Sequence, residues 1–138
     1  MNTTLQLTEV EAIYSELTAI NLQITSNQSV HSLIDLSGQL AAWLAFTGEQ
    51  MAICKKIWRA ATAKAYDSYV FSKLAHDISI SPSMANKYAG AKSGDEEAQY
   101  EFCERVNRAI VHTIDLLRTC ISALKAEQQA YSYGGGTI

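Results

Sequence analysis

The chain has 138 residues, a single proline and a formal net charge of −3, which together fit one modest helical domain. It has no run of about 18 apolar residues and no basic, apolar leader at its start, so we expect neither a membrane span nor a secretion signal. The three cysteines form no CxxC pair, which favours a reducing, cytoplasmic setting over a disulfide framework.

The N-terminal segment, residues 1–28, predicts an acidic helix. Thr8 and Glu11 have the spacing of a capping box, and apolar residues follow at alternating intervals of three and four. One thin helix cannot cover such a stripe, and the last helix has a similar one, so we predict that copies of the chain pack together. The predicted oligomer-interface residues are Val10, Ile13, Leu17, Ile20, Ile110, Leu117, Ile121 and Leu124.

Residues 29–131 predict a helical core domain. Helical periodicity over residues 29–74 indicates one very long helix or two nearly collinear ones, since Gly38 and Gly48 each cost about 1 kcal/mol relative to alanine. The predicted fold is therefore all-α, an elongated and oligomeric helical bundle with one very long central helix.

Helix boundaries are predicted most sharply in the second half of the chain. Ser81 and Pro82 suit an N-cap and a first helical position, which predicts a short helix there. Ser93 and Gly94 should end that helix, and the acidic run that follows suits the start of the last one. The glycine-rich residues 132–138 predict a flexible tail.

The sequence lacks the motifs of common catalytic and metal sites. Its three histidines stand far apart, and it contains no glycine-rich phosphate loop, GxSxG or HExxH motif. We therefore expect no enzymatic activity, no cofactor and no metal.

Charge is distributed unevenly along the chain. Residues 1–50 contain five acids and no lysine or arginine, whereas residues 51–75 contain five bases and one acid. Cations on a helix can neutralise phosphates, and interleaved aromatic rings can stack on unpaired bases. The alternative is a solvated helix face whose aromatic residues fill the bundle.

The order of motifs resembles a known family. A basic helix is followed by a polar connector, by Ser83-Met84-Ala85-Asn86-Lys87-Tyr88, and by a late motif spanning residues 117–125. Over residues 30–126 this order resembles the small phage recombination mediators of the UvsY type.

The resemblance implies a ring-like homo-oligomer of helical protomers in the cytoplasm of a bacterial host. Such a protein binds single-stranded DNA and helps a recombinase to displace a single-strand-binding protein. The DNA contacts that the resemblance implies are Lys55, Lys56, Arg59, Lys64, Lys87 and Tyr88.

Two other classes of function stay open. The acidic segment 1–50 would repel DNA but can engage a basic protein surface, as in a phage-encoded inhibitor or adaptor that acts through its helical faces without binding DNA. A purely structural coiled-coil assembly protein is the third class.

Overall fold

Long stretches without proline favour helices, and the computed structural model, which describes residues 4–26 and 29–135, has four helices and no strand in those ranges. The helices are α1 (Leu7–Ser26), α2 (Val30–Ala75), α3 (Pro82–Lys92) and α4 (Gly94–Gly135). The all-α prediction is confirmed. None of the described helices combines the length and apolar character needed to cross a membrane.

Helix α2 has 46 residues and includes both Gly38 and Gly48. It ends in a Schellman motif, in which two amide groups beyond the helix donate back to its last carbonyl groups. The Asp77 amide donates to the Leu74 carbonyl at 3.2 Å, and the Ile78 amide donates to the Lys73 carbonyl at 3.0 Å. Asp77 has a φ of 54°, the left-handed conformation that this motif requires.

The start of α3 agrees with the sequence prediction. Ser81 is the N-cap residue with an extended backbone, and Pro82 occupies the first helical turn, where its missing amide proton costs no hydrogen bond. At the other end, Ser93 joins α3 to α4. Its amide donates to the Ala89 carbonyl, and its own carbonyl accepts from the Glu97 amide at 3.0 Å. The predicted break at Ser93 and Gly94 is confirmed.

The contacts of the chain divide it into two compact units. The α3 unit consists of Gly48–Glu104 with Met1–Leu7, and the α1 unit consists of Thr8–Thr47 with Arg105–Ile138, as far as these ranges are described. Each unit has its own buried residues.

The α1 unit packs α1 with the first part of α2 and the second part of α4. Hydrogen bonds between side chains connect its helices. The Thr113 hydroxyl of α4 donates to Asn21 Oδ1 of α1 at 3.1 Å, and the Asn107 amide of α4 donates to the Thr47 hydroxyl of α2 at 2.9 Å. These partly buried pairs specify how the helices align, because unpaired polar groups in the same places would be costly.

Most of the predicted oligomer interface is buried within this unit of a single chain. The residues at most 8 % exposed are Val10, Ile13, Leu17, Ile20, Ile110 and Leu117. These six side chains therefore need no second copy to cover them, because the chain packs its own apolar stripes against one another. Ile121 and Leu124 are half-buried, and an interface through them stays a prediction.

In the α3 unit, the buried side chain of Gln50 fixes the segment before α1. Gln50 Oε1 accepts a hydrogen bond from the Gln6 amide at 2.7 Å, and Gln50 Nε2 lies 3.5 Å from the Thr4 carbonyl oxygen. The predicted tail lies partly outside the residues that the structure describes. Helix α4 continues to Gly135, residues 136–138 are not described, and the flexibility of 132–138 stays a prediction.

Candidate nucleic-acid interface

Two tyrosines meet where α2 and α3 pack together in the α3 unit. The ring centroids of Tyr69 on α2 and Tyr88 on α3 lie 4.9 Å apart, with an angle of 34° between the ring planes. Tyr88 keeps 36 % of its surface exposed. The pair therefore forms an aromatic patch that solvent, or a planar ligand, can reach.

A lysine one helical turn further on covers each tyrosine. Lys73 Nζ lies 5.4 Å from the centroid of the Tyr69 ring, and Lys92 Nζ lies 5.6 Å from the centroid of the Tyr88 ring. In both helices the spacing is i,i+4, which puts the two side chains on the same face. A cation–π contact at such a site is worth about 0.5–1 kcal/mol, so each ammonium group is held beside an aromatic ring.

A groove of about 360 Å³ adjoins this patch. Its lining includes the side chains of Lys64, Tyr88, Lys92 and Glu96, and small residues of α2 complete it: Ala61, Ala65 and Ser68. Because alanine and serine project little, the groove leaves room for a flat or extended group between the lysines. We refer to Lys64, Tyr69, Lys73, Tyr88 and Lys92 as the lysine–tyrosine surface.

The charge of this surface is positive. Two lysines, Lys64 and Lys92, line the groove together with one carboxylate, that of Glu96, whose Oε2 atom is buried and has no hydrogen-bond partner among the residues that the structure describes. Lys64 and Lys92 are exposed, so anions reach them without displacing protein atoms. The surface is therefore suited to binding an anionic chain, with tyrosine rings available for stacking.

Trp58 packs within the protein. Its ring stacks on Tyr100 of α4, with the centroids 5.6 Å apart and 30° between the planes. Lys55 Nζ lies 5.9 Å from the centroid of the same Tyr100 ring. Trp58 therefore contributes to the packing of α2 against α4, and Lys55 is half-buried beside it.

The structure brings together only part of the predicted DNA-contact set. Lys64 and Tyr88 share the groove, although 24 positions separate them in sequence. Lys56 and Arg59 are exposed, but neither of them lines this groove. Lys87 is also exposed, and it points about 100° away from Tyr88 around α3.

The predicted DNA-contact set lacks three residues of the surface: Tyr69, Lys73 and Lys92. The pattern Tyr-x-x-x-Lys occurs in both α2 and α3, at positions 69–73 and 88–92. This repeated i,i+4 pairing was visible in the sequence, whereas the contact between the two pairs depends on how α3 folds back on α2.

Neither the cysteines nor the histidines add a metal site within residues 4–26 and 29–135, where no cluster of three or more His, Cys, Asp or Glu side chains has suitable geometry. Comparison of the chain with protein-family models, with curated proteins and with solved structures found no match.

Proposed function

We propose that this protein is an oligomeric, elongated helical factor that binds single-stranded DNA and assists a recombinase. The observation that carries the proposal is the lysine–tyrosine surface, where two half-exposed aromatic rings each have a lysine over them and Lys64 lines the adjoining groove. The motif order over residues 30–126, which resembles that of UvsY-type mediators, supports the same class.

The chemistry of the surface favours a single strand over a duplex. A tyrosine ring can stack only on a base whose face is free, and such stacking is worth about 1–3 kcal/mol per base. Lysines bind phosphates as point charges, without regard to sequence. We therefore expect binding that tolerates any sequence and prefers unpaired strands.

The size of the surface supports an oligomer. Two lysines, Lys64 and Lys92, line the groove, so one chain contacts a strand over only a few nucleotides. So short a footprint binds weakly by itself. Several copies on one strand would raise the affinity through effective concentration, and the half-buried Ile121 and Leu124 are the side chains through which we propose that copies meet.

The test is a titration of labelled oligo-dT with the protein, followed by fluorescence anisotropy at several salt concentrations. If each of the two groove lysines contacts a phosphate, the logarithm of the binding constant falls with the logarithm of salt with a slope of about −1.4 per chain. A matched duplex should bind more weakly. No binding at low salt, or equal binding to duplex and single strand, would refute the proposal.

Light scattering of the same samples tests the oligomer. We expect a mass above that of one chain, which increases further when long oligo-dT is added. The variant Ile121→Glu/Leu124→Glu should shift the mass toward one chain. A monomer at micromolar concentration, with and without DNA, would contradict this part of the proposal.

A second candidate, a protein-binding adaptor, is favoured by apolar side chains exposed around the α2–α3 connection. Phe71 is 71 % exposed and Leu74 is 57 % exposed, and Ile78 and Met84 nearby are also exposed. Exposed apolar groups of this size are typical of protein–protein contacts. The variant Phe71→Ser/Leu74→Ser separates the two candidates, because it should leave DNA affinity unchanged while abolishing capture of a protein partner.

A further inference from the structure

Two buried cysteines lie side by side between α2 and α4 in the α3 unit. Cys54 is 1 % exposed and Cys103 is not exposed at all. Their Sγ atoms are 3.6 Å apart, a sulfur–sulfur hydrogen-bond contact between two free thiols. The third cysteine, Cys120, lies in the other unit and is half-buried.

We propose that Cys54 and Cys103 are a modification site, at which a small two-electron oxidant of the peroxide class forms a reversible disulfide that links α2 to α4. The sulfurs need to approach each other by only about 1.6 Å to reach bonding distance. Rotation of the two side chains can supply much of this movement, so the helices shift little.

The reaction balances with hydrogen peroxide as oxidant. The Cys54 sulfur, as thiolate, attacks one peroxide oxygen, the O–O bond breaks and hydroxide leaves, which gives a sulfenic acid. The Cys103 sulfur then attacks the Cys54 sulfur, the S–O bond breaks, and the Cys103 thiol proton leaves with the hydroxide as water. The two thiols together lose two electrons and two protons, and the peroxide becomes two molecules of water.

The environment of the two thiols determines which of them reacts first with peroxide and makes the reaction slow. Burial raises the pKa of the Cys54 thiol, and the hydrogen bond with Cys103 partly offsets this rise. Burial raises the pKa of the Cys103 thiol to about 12, and both the hydrogen bond and the charge of Cys54 add to it. Cys54 is therefore the more easily ionised thiol, and both react more slowly than an exposed cysteine, since only the thiolate is nucleophilic.

The cysteine pair lies next to a contact between the basic part of α2 and α4. Lys55 follows Cys54, and its ammonium group lies over the ring of Tyr100, three residues before Cys103. A covalent link at this point joins the basic part of α2 to α4. It thereby makes this part of the α3 unit harder to open.

The test uses the full chain with Cys120→Ser, which leaves the two buried thiols alone. The folded protein is incubated with hydrogen peroxide, quenched, denatured and analysed by intact mass and thiol titration. We expect the loss of two hydrogens, no remaining thiol, and full recovery with dithiothreitol. The reaction should accelerate about tenfold per pH unit below the thiol pKa, and the melting midpoint of the oxidised protein should rise by about 10 °C.

The matched control is Cys54→Ser/Cys120→Ser, which keeps one buried thiol and should give no species lighter by two hydrogens. Helical circular dichroism before oxidation verifies that each variant is folded. Addition of oxygen atoms without loss of hydrogens, disulfide-linked dimers in place of a linked monomer, or pairing that occurs only in denaturant would each overturn the proposal. The readout contains no DNA, so it is independent of the proposed function.

Discussion

Removing the two groove lysines should weaken binding of single-stranded DNA and change its salt dependence. The variant Lys64→Ala/Lys92→Ala deletes two exposed side chains that line the groove beside Tyr88. If each lysine neutralises one phosphate, the slope of log binding constant against log salt becomes about 1.4 less steep. On the same counterion-release relation, affinity falls about 25-fold at 0.1 M salt and about tenfold at 0.2 M salt.

The assay is anisotropy of labelled oligo-dT at both salt concentrations, with circular dichroism as the test of folding. The matched control is Arg105→Ala/Lys125→Ala, which removes the same charge from exposed positions of the α1 unit. If binding depends on the side chains that line the groove, this control should lose less than about twofold. Equal losses in both variants would refute the local argument, because net charge alone would then account for the binding.

Three further predictions concern single side chains. Tyr88→Ala should lower the affinity for oligo-dT about tenfold, as measured by fluorescence anisotropy. Tyr88→Phe should keep the affinity of the unmodified protein, because the ring and not the hydroxyl group stacks on a base. Ile110→Ala should lower the free energy of unfolding by about 2–5 kcal/mol in urea titrations, since Ile110 is fully buried. Ile121→Ala should lower it less, because Ile121 is half-buried. Equal losses in the two variants would contradict this reasoning. Asp77→Gly should raise the same free energy by up to about 1 kcal/mol, because glycine adopts the left-handed φ of 54° without strain; a loss of stability would show that the aspartate side chain has a role of its own.

Sequence patterns were sufficient to predict the features that depend only on residues close together in the chain. Ser81 and Pro82 predicted the start of α3, because a proline in the first turn gives up no hydrogen bond. Ser93 and Gly94 predicted the junction with α4, where a single serine caps both helices. The apolar spacing of α1 likewise predicted which of its side chains are buried, since a period near 3.6 marks one face of a helix.

What the same spacing could not determine is the partner of that face. The stripe from Val10 to Ile20 is equally suited to another copy and to the chain's own α4, and the structure selects the second, as the contact between Asn21 and Thr113 records. Periodicity describes one helix at a time. The choice between an intramolecular and an intermolecular neighbour depends on connection lengths and on how the whole set of helices packs.

The candidate site shows the same division between sequence and tertiary structure. By itself the sequence determined that the chain is helical, that positive charge is concentrated after residue 50, and that tyrosine and lysine recur at i,i+4 in two places, because these properties depend only on residues close together in the chain. Tertiary structure alone decided that Tyr69 meets Tyr88 and that Lys64 faces Lys92. That contact depends on the direction in which the connection after Ala75 returns α3 along α2, and no local spacing encodes it.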